Sequence, residues 1–237
     1  MNKEIALVWL RNDFRTIRNN ALSYALENHE KLCVLYIHKK NFLDNRQAQK
    51  WWLFKSLQNF KSRLSKININ LEIIEGDTYQ EGFNSILKHK NFSIYWNKIY
   101  EPHYLSFDMK ISKVLESKNI AHKIFKGNTL NESSEIKKND GTPFKVFTPF
   151  WKAAEKFYID KGYSNKKIIN SKKIKVKFFK ETLQPDKILP KTHWHKKFER
   201  YWNPSEEESL SRIKKFIKNS LSNYAQNRDV PGLDGTS

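Results

Sequence analysis

Five short apolar runs, separated by stretches with helical spacing, occupy the first 125 residues. They are 5–10 (IALVWL), 32–37 (LCVLYI), 71–74 (LEII), 93–96 (SIYW) and 121–125 (AHKIF). Apolar character that is continuous rather than alternating predicts strands buried on both faces of a parallel sheet. Between them, residues 21–28, 48–64, 79–90 and 104–118 carry helical spacing, with Trp52, Leu53, Ser56, Leu57, Phe60 and Leu64 forming one apolar stripe. Strand and helix alternate, so the segment is expected to fold as a doubly wound α/β domain.

Beyond residue 125 the pattern breaks. Residues 128–142 are polar and read as a loop, and 147–157 read as a helix that opens near Pro149. A Lys-rich, weakly patterned connection follows over 161–191. Ser205 then stands three residues before Glu208, the spacing of a capping box, with acids at the positive end of a helix. Leu210, Ile213, Phe216, Ile217, Leu221 and Tyr224 form an apolar stripe along that helix. Such a stripe requires a partner surface.

The length suffices for a sizeable core, and 38% hydrophobic with 14% aromatic residues excludes a disordered chain. No apolar run approaches the ~20 residues of a membrane span. The N-terminus meets an acid and an arginine too early for a secretory signal. Cys33 is the only cysteine, which excludes a disulfide framework. The expected location is cytoplasmic. The net charge is +19, and 17 Lys/Arg stand against 6 Asp/Glu between Lys161 and Ser220. This excess favours polyanionic partners, nucleic acid first among them, although a Lys-, Asn- and Ile-rich composition also follows from an AT-biased genome.

The first run is followed by Arg11, Asn12, Asp13, Phe14 and Arg15, then Arg18. In a doubly wound sheet this loop lies where ligands bind. It lacks the Gly-x-Gly-x-x-Gly dinucleotide fingerprint. Three arginines around Asp13 suit either an anion or internal pairing, and internal pairing is favoured. His193 and His195 alternate as in some metal sites, but without a third ligand they read as a surface pair. Cys33 reads as a small core residue and most of the seven tryptophans as packing.

Taken in order, several stretches resemble the DNA photolyase/cryptochrome family. Val8 to Arg15 with Asn19, Asn20, Ala21 and Leu22 resembles its opening. Lys50, Trp51, Trp52 and Leu53 with Ser56 and Leu57 match its helix before the third strand, and Glu75, Gly76 and Asp77 the turn after that strand. Tyr95, Trp96 and Asn97 with Tyr100, Glu101 and Pro102 match the turn after the fourth. Gly141 through Lys152 matches a specific segment, and Tyr224, Arg228, Asp229, Pro231, Gly235, Thr236 and Ser237 match the entry to its flavin site.

The resemblance implies a mostly parallel, five-stranded Rossmann-like sheet over 1–128 and a connector over 129–192. It implies the start of an all-helical FAD-binding domain over 193–237, expected to be truncated. The implied function is that of a deoxyribodipyrimidine photolyase: light-driven, FAD-dependent splitting of cyclobutane pyrimidine dimers in DNA, acting as a monomer. A second antenna chromophore, folate or deazaflavin, is also implied without its identity. Tyr224, Thr236 and Ser237 would contact FAD, and Arg228 a DNA phosphate. No catalytic residue or metal site is assigned, and these residues alone are expected to be catalytically incomplete. The alternatives are a cryptochrome-type photoreceptor and a stand-alone antenna- or nucleic-acid-binding module.

Overall fold

In the computed structural model, residues 4–41, 43–132, 134–161, 173–189 and 193–233 are described. The chain runs β1 (Ile5–Leu10), α1 (Asn20–Asn28), β2 (Lys31–Lys39), α2 (Gln47–Ser65), β3 (Asn70–Gly76), α3 (Tyr79–Ile86), β4 (Phe92–Asn97), α4 (Pro102–Ser117) and β5 (His122–Phe125). α5 (Phe147–Lys161), β6 (Ile174–Lys175), α6 (Glu206–Asn219) and α7 (Tyr224–Asn227) follow. Five parallel strands lie in the order β3-β2-β1-β4-β5, with the short β6 beside β2. This is the expected α/β architecture. Ile5 sits opposite Phe92 in the β1–β4 ladder and Ile94 opposite His122 in the β4–β5 ladder.

Two compact units arise from the contacts, one of 1–34 with 89–174 and one of 35–88 with 175–237. In the first, Ala6 to Leu10 of β1, Ile94 and Trp96 of β4 and Ile111 and Leu115 of α4 are all buried. Each large apolar side chain so placed contributes about 1.5–3 kcal/mol. Trp9 and Trp96, paired across the β1–β4 ladder, hold their rings 5.7 Å apart. α1 starts at Asn19, whose side chain accepts a hydrogen bond from Leu22 N at 3.1 Å. At its other end the buried Lys173 donates to the carbonyls of Leu26 and His29, closing orphan acceptors of the last turn.

In the second unit, α2 buries Trp51, Phe54, Leu57, Phe60 and Leu64. Ser56, Leu57, Phe60 and Leu64 of the expected stripe are buried, but its first turn differs: Trp52 is 46% exposed and its ring stands 5.9 Å from that of Trp202. Adjacent helical residues point about 100° apart, so only one of the Trp51–Trp52 pair can face inward. α3 ends at Ile86, not at the expected residue 90. Lys88, His89 and Lys90 continue no apolar stripe, and Asn91 turns the chain at φ 59°. α3 begins with Thr78 accepting from Glu81 N, while Glu81 accepts from Asp77 N.

The Lys-rich connection is tied down over the residues that are described. Glu72 of β3 is buried, and its carboxylate accepts hydrogen bonds from Phe178 N and Phe179 N, each at 2.8 Å. Leu183 N donates to Ile73 O at 2.7 Å. Further on, Arg63 of α2 forms ion pairs with Glu206 and Glu207 at the start of α6. Ser205 caps α6 by accepting from Glu208 N at 3.1 Å, as its spacing predicts. Glu208 does not close the box but accepts from Arg212 at 2.8 Å. No residue of α6 is buried, so the stripe of Leu210, Ile213 and Ile217 stays exposed.

Candidate functional site

The strand order reverses between β1 and β4, and in open α/β sheets the crevice at the carboxyl ends of such strands is where ligands bind. Here a polar network fills it. Arg11, the first residue after β1, is buried and bonds both carboxylate oxygens of Asp108 on α4, at 2.8 and 3.1 Å. It also donates to the carbonyl of Asn97, the last residue of β4. The Asn97 side chain donates to Asp13 and to Asn19, at 2.7 Å for Asn19, and accepts from Ala21 N at 3.0 Å. One asparagine therefore joins β4, the loop after β1 and the start of α1. Burial pushes the Asp108 carboxyl above its ordinary value, and the Arg11 guanidinium works against that shift.

The three arginines of this loop divide between the two roles the sequence left open. Arg11 pairs internally. Arg15 and Arg18 instead line a cavity of about 490 Å³, together with Tyr24 of α1, Phe125 at the end of β5 and the 126–130 loop. Arg15 Nε donates to Arg18 O at 3.3 Å. Arg18 sits at φ 54°, a left-handed conformation. The cavity walls are bonded to each other: Asn20 Nδ2 donates to Lys126 O at 3.1 Å. Lys126 closes its own loop on Leu130 O and on Glu135. A Cβ on Gly127 would stand 1.9 Å from Lys98 O, so only glycine fits there.

A second constellation lies at the end of the described chain. Tyr224 begins α7, is 38% exposed, and meets Phe216 of α6 edge to face at 5.7 Å. The Arg228 guanidinium lies 5.9 Å from the Tyr224 ring, and Arg228 N donates to Tyr224 O at 3.0 Å. Tyr224, expected at the flavin, and Arg228, expected at a DNA phosphate, are thus neighbours one helical turn apart. Thr236 and Ser237 lie outside the described residues.

Other candidates behave differently. Cys33 is fully buried in β2 as a small core residue. His195 is buried rather than on the surface where the alternating pair was expected, because its short helical segment (His193–Arg200) turns it inward while Phe198 meets Trp51 at 5.5 Å. Among the described residues no group of three or more His, Cys, Asp or Glu side chains is placed to hold a metal. The network of Asn97, Asp13 and Asn19 gave no signal beyond a polar residue ending an apolar strand. Among the described residues no helix is long and apolar enough to cross a membrane.

Comparison with known proteins bears on the family. A family model described as DNA photolyase matches residues 6–167. A deoxyribodipyrimidine photo-lyase of Agrobacterium fabrum is 31% identical over 98% of this chain and 48% of its own length. Cryptochrome-1 of Arabidopsis thaliana is 28% identical over 62% of the chain and 22% of its own. The crystal structure of a class III photolyase from Agrobacterium tumefaciens superposes with a TM-score of 0.85 at 28% identity, covering all of this chain and 49% of that one. The chain spans about half the length of the photolyases it matches. Fold, ordered motifs and these likenesses agree, and the chain belongs to the DNA photolyase family.

Proposed function

We propose that the chain forms the N-terminal part of a deoxyribodipyrimidine photolyase, contributing its α/β domain and the first flavin-facing residues. The observation that carries this reading is the pairing of Tyr224 with Arg228 beside the exposed stripe of α6. An aromatic ring in an apolar face suits an isoalloxazine or adenine ring, and a guanidinium beside it suits a phosphate of DNA. FAD, when bound, supplies the light-excitable electron donor. The protein residues do the positioning. Tyr224 would bear on the cofactor, Arg228 would hold the DNA backbone without reading sequence, and Thr236 and Ser237 would continue the phosphate-binding turn.

These 237 residues alone are proposed to retain FAD weakly at best and to repair nothing. Tyr224 is 38% exposed and no α6 side chain is buried, so the flavin-facing surface is open to water. Light-driven charge separation in such a surface would lack the exclusion of solvent that the chemistry needs. The test is dimer reversal in ultraviolet-irradiated oligothymidylate under blue light, read as recovery of absorbance. The chain alone is expected to give none, and the full-length gene product to give light-dependent recovery. A full-length product that holds FAD and reverses no dimer would favour a cryptochrome-type photoreceptor, as the likeness to Cryptochrome-1 allows.

A further inference from the structure

We propose that the cavity between α1 and the loop after β5 binds a mononucleotide, a heterocyclic base with an amino group and a nearby phosphate. It shares no lining residue with the Arg11–Asp108 network, and the proposed repair reaction makes no use of it. At about 490 Å³ it matches the size of small-ligand sites. Arg15 and Arg18 are both among its lining residues. The hydrogen bond Arg15 makes to Arg18 O uses one of its five N–H donors, and a guanidinium engages phosphate through two of them at once.

The rest of the lining has different chemistry. Tyr24 and Phe125 line it with rings 5.2 Å apart and half-buried, one face of each taken by the Lys123 ammonium at 4.6 and 5.2 Å, and a planar base would pack on what they leave open. Glu27, three residues after Tyr24 on α1, presents a carboxylate that accepts hydrogen bonds from an exocyclic amine. An amino-bearing base with a phosphate suits both kinds of lining group, whereas inorganic phosphate or a bare base suits one.

The walls are preorganised. The Asn20–Lys126 hydrogen bond, the Lys126–Glu135 ion pair and the close approach of Gly127 to Lys98 O hold the 126–130 loop against α1. Little ordering is left to be done on binding. Arg18 is also the only residue other than Asn or Gly with a positive φ among the described residues, the rest being Asn41, Asn68, Asn91, Asn119 and Gly141. Asparagine tolerates that conformation well and arginine does not, so the guanidinium is held at the cavity at a conformational cost.

The test is calorimetric titration of the full chain with AMP, adenosine and inorganic phosphate. AMP is expected to bind saturably, and adenosine and phosphate about tenfold or more weakly. Arg18→Asn keeps the left-handed backbone, and Arg15→Gln keeps the side chain's length and polarity. Each is expected to weaken AMP by about tenfold while adenosine binding and the thermal midpoint stay unchanged. Arg228→Gln is expected to leave AMP binding intact. No saturable AMP binding, equal binding by the Arg15 and Arg18 variants, or loss on Arg228→Gln would overturn the proposal. None of these results bears on whether the chain contributes to a photolyase.

Discussion

The guanidinium of Arg11 closes on the carboxylate of Asp108 through two hydrogen bonds, and each side chain is only 4% exposed. The pair binds the loop after β1 to α4 across 97 residues of sequence. Removing one partner leaves the other charge buried and alone. Asp108→Ala is therefore expected to cost about 3–5 kcal/mol, measured by urea unfolding. Replacing both, with Arg11→Met and Asp108→Leu, is expected to recover much of that loss. A single variant as stable as the parent would show that the pair is dispensable.

Glu72 plays a comparable part with neutral partners. Its two oxygens accept from Phe178 N and Phe179 N, so a glutamine there would turn one acceptor into a donor facing an N–H. Glu72→Gln is expected to lower stability by about 1–3 kcal/mol and to open the chain near residue 178 to limited proteolysis. An unchanged cleavage pattern would argue against the anchor.

Gly127 tests the loop after β5. An alanine methyl would stand 1.9 Å from Lys98 O, a contact that only a backbone shift relieves. Gly127→Ala is expected to lower the melting temperature clearly, with a cost of about 1–3 kcal/mol typical of overpacking. Gly141, at φ 79° with open space around it, is strained by alanine for a different reason and is expected to lose about 1 kcal/mol.

Two histidines predict a pH dependence. Burial lowers the pKa of His29 from 6.5, with Glu4 acting to raise it and Lys173 to lower it. Burial likewise lowers that of His38, where Glu75 and Asp44 act to raise it and Lys50 to lower it. The unfolded chain thus takes up protons first as pH falls through 6.5. Stability is full above that value and declines toward the depressed folded pKa values. Melting temperature is expected to drop from about pH 8 to about pH 5, and His38→Asn to flatten part of the slope. A melting temperature that rises on acidification would contradict this reading.

The parallel sheet was legible because both faces of its strands are covered, which leaves a continuous apolar run in the sequence for each. The cap at Ser205 was legible for a similar reason, since its partner Glu208 lies three residues away. The α2 stripe was legible from Ser56 to Leu64 but not at its start, because Trp51 and Trp52 are equally apolar and only the tertiary neighbours decide which turns inward. Lys173 sits in a run of lysines that gives no hint of a buried ammonium bonded to two carbonyls. The Arg11–Asp108 pair and the cavity of Arg15 and Arg18 unite positions about a hundred residues apart. No local spacing encodes them.

The proposal that matters most is that Tyr224, 38% exposed, contributes to a flavin site that these residues alone hold only weakly. The most direct measurement is the flavin absorbance kept by the purified 237-residue chain after incubation with FAD and gel filtration, expressed per mole of protein. A small fraction of one equivalent is expected, lowered further by Tyr224→Ala. A full equivalent of retained FAD would contradict it, because an exposed tyrosine on a helix with no buried residue cannot hold a cofactor that tightly.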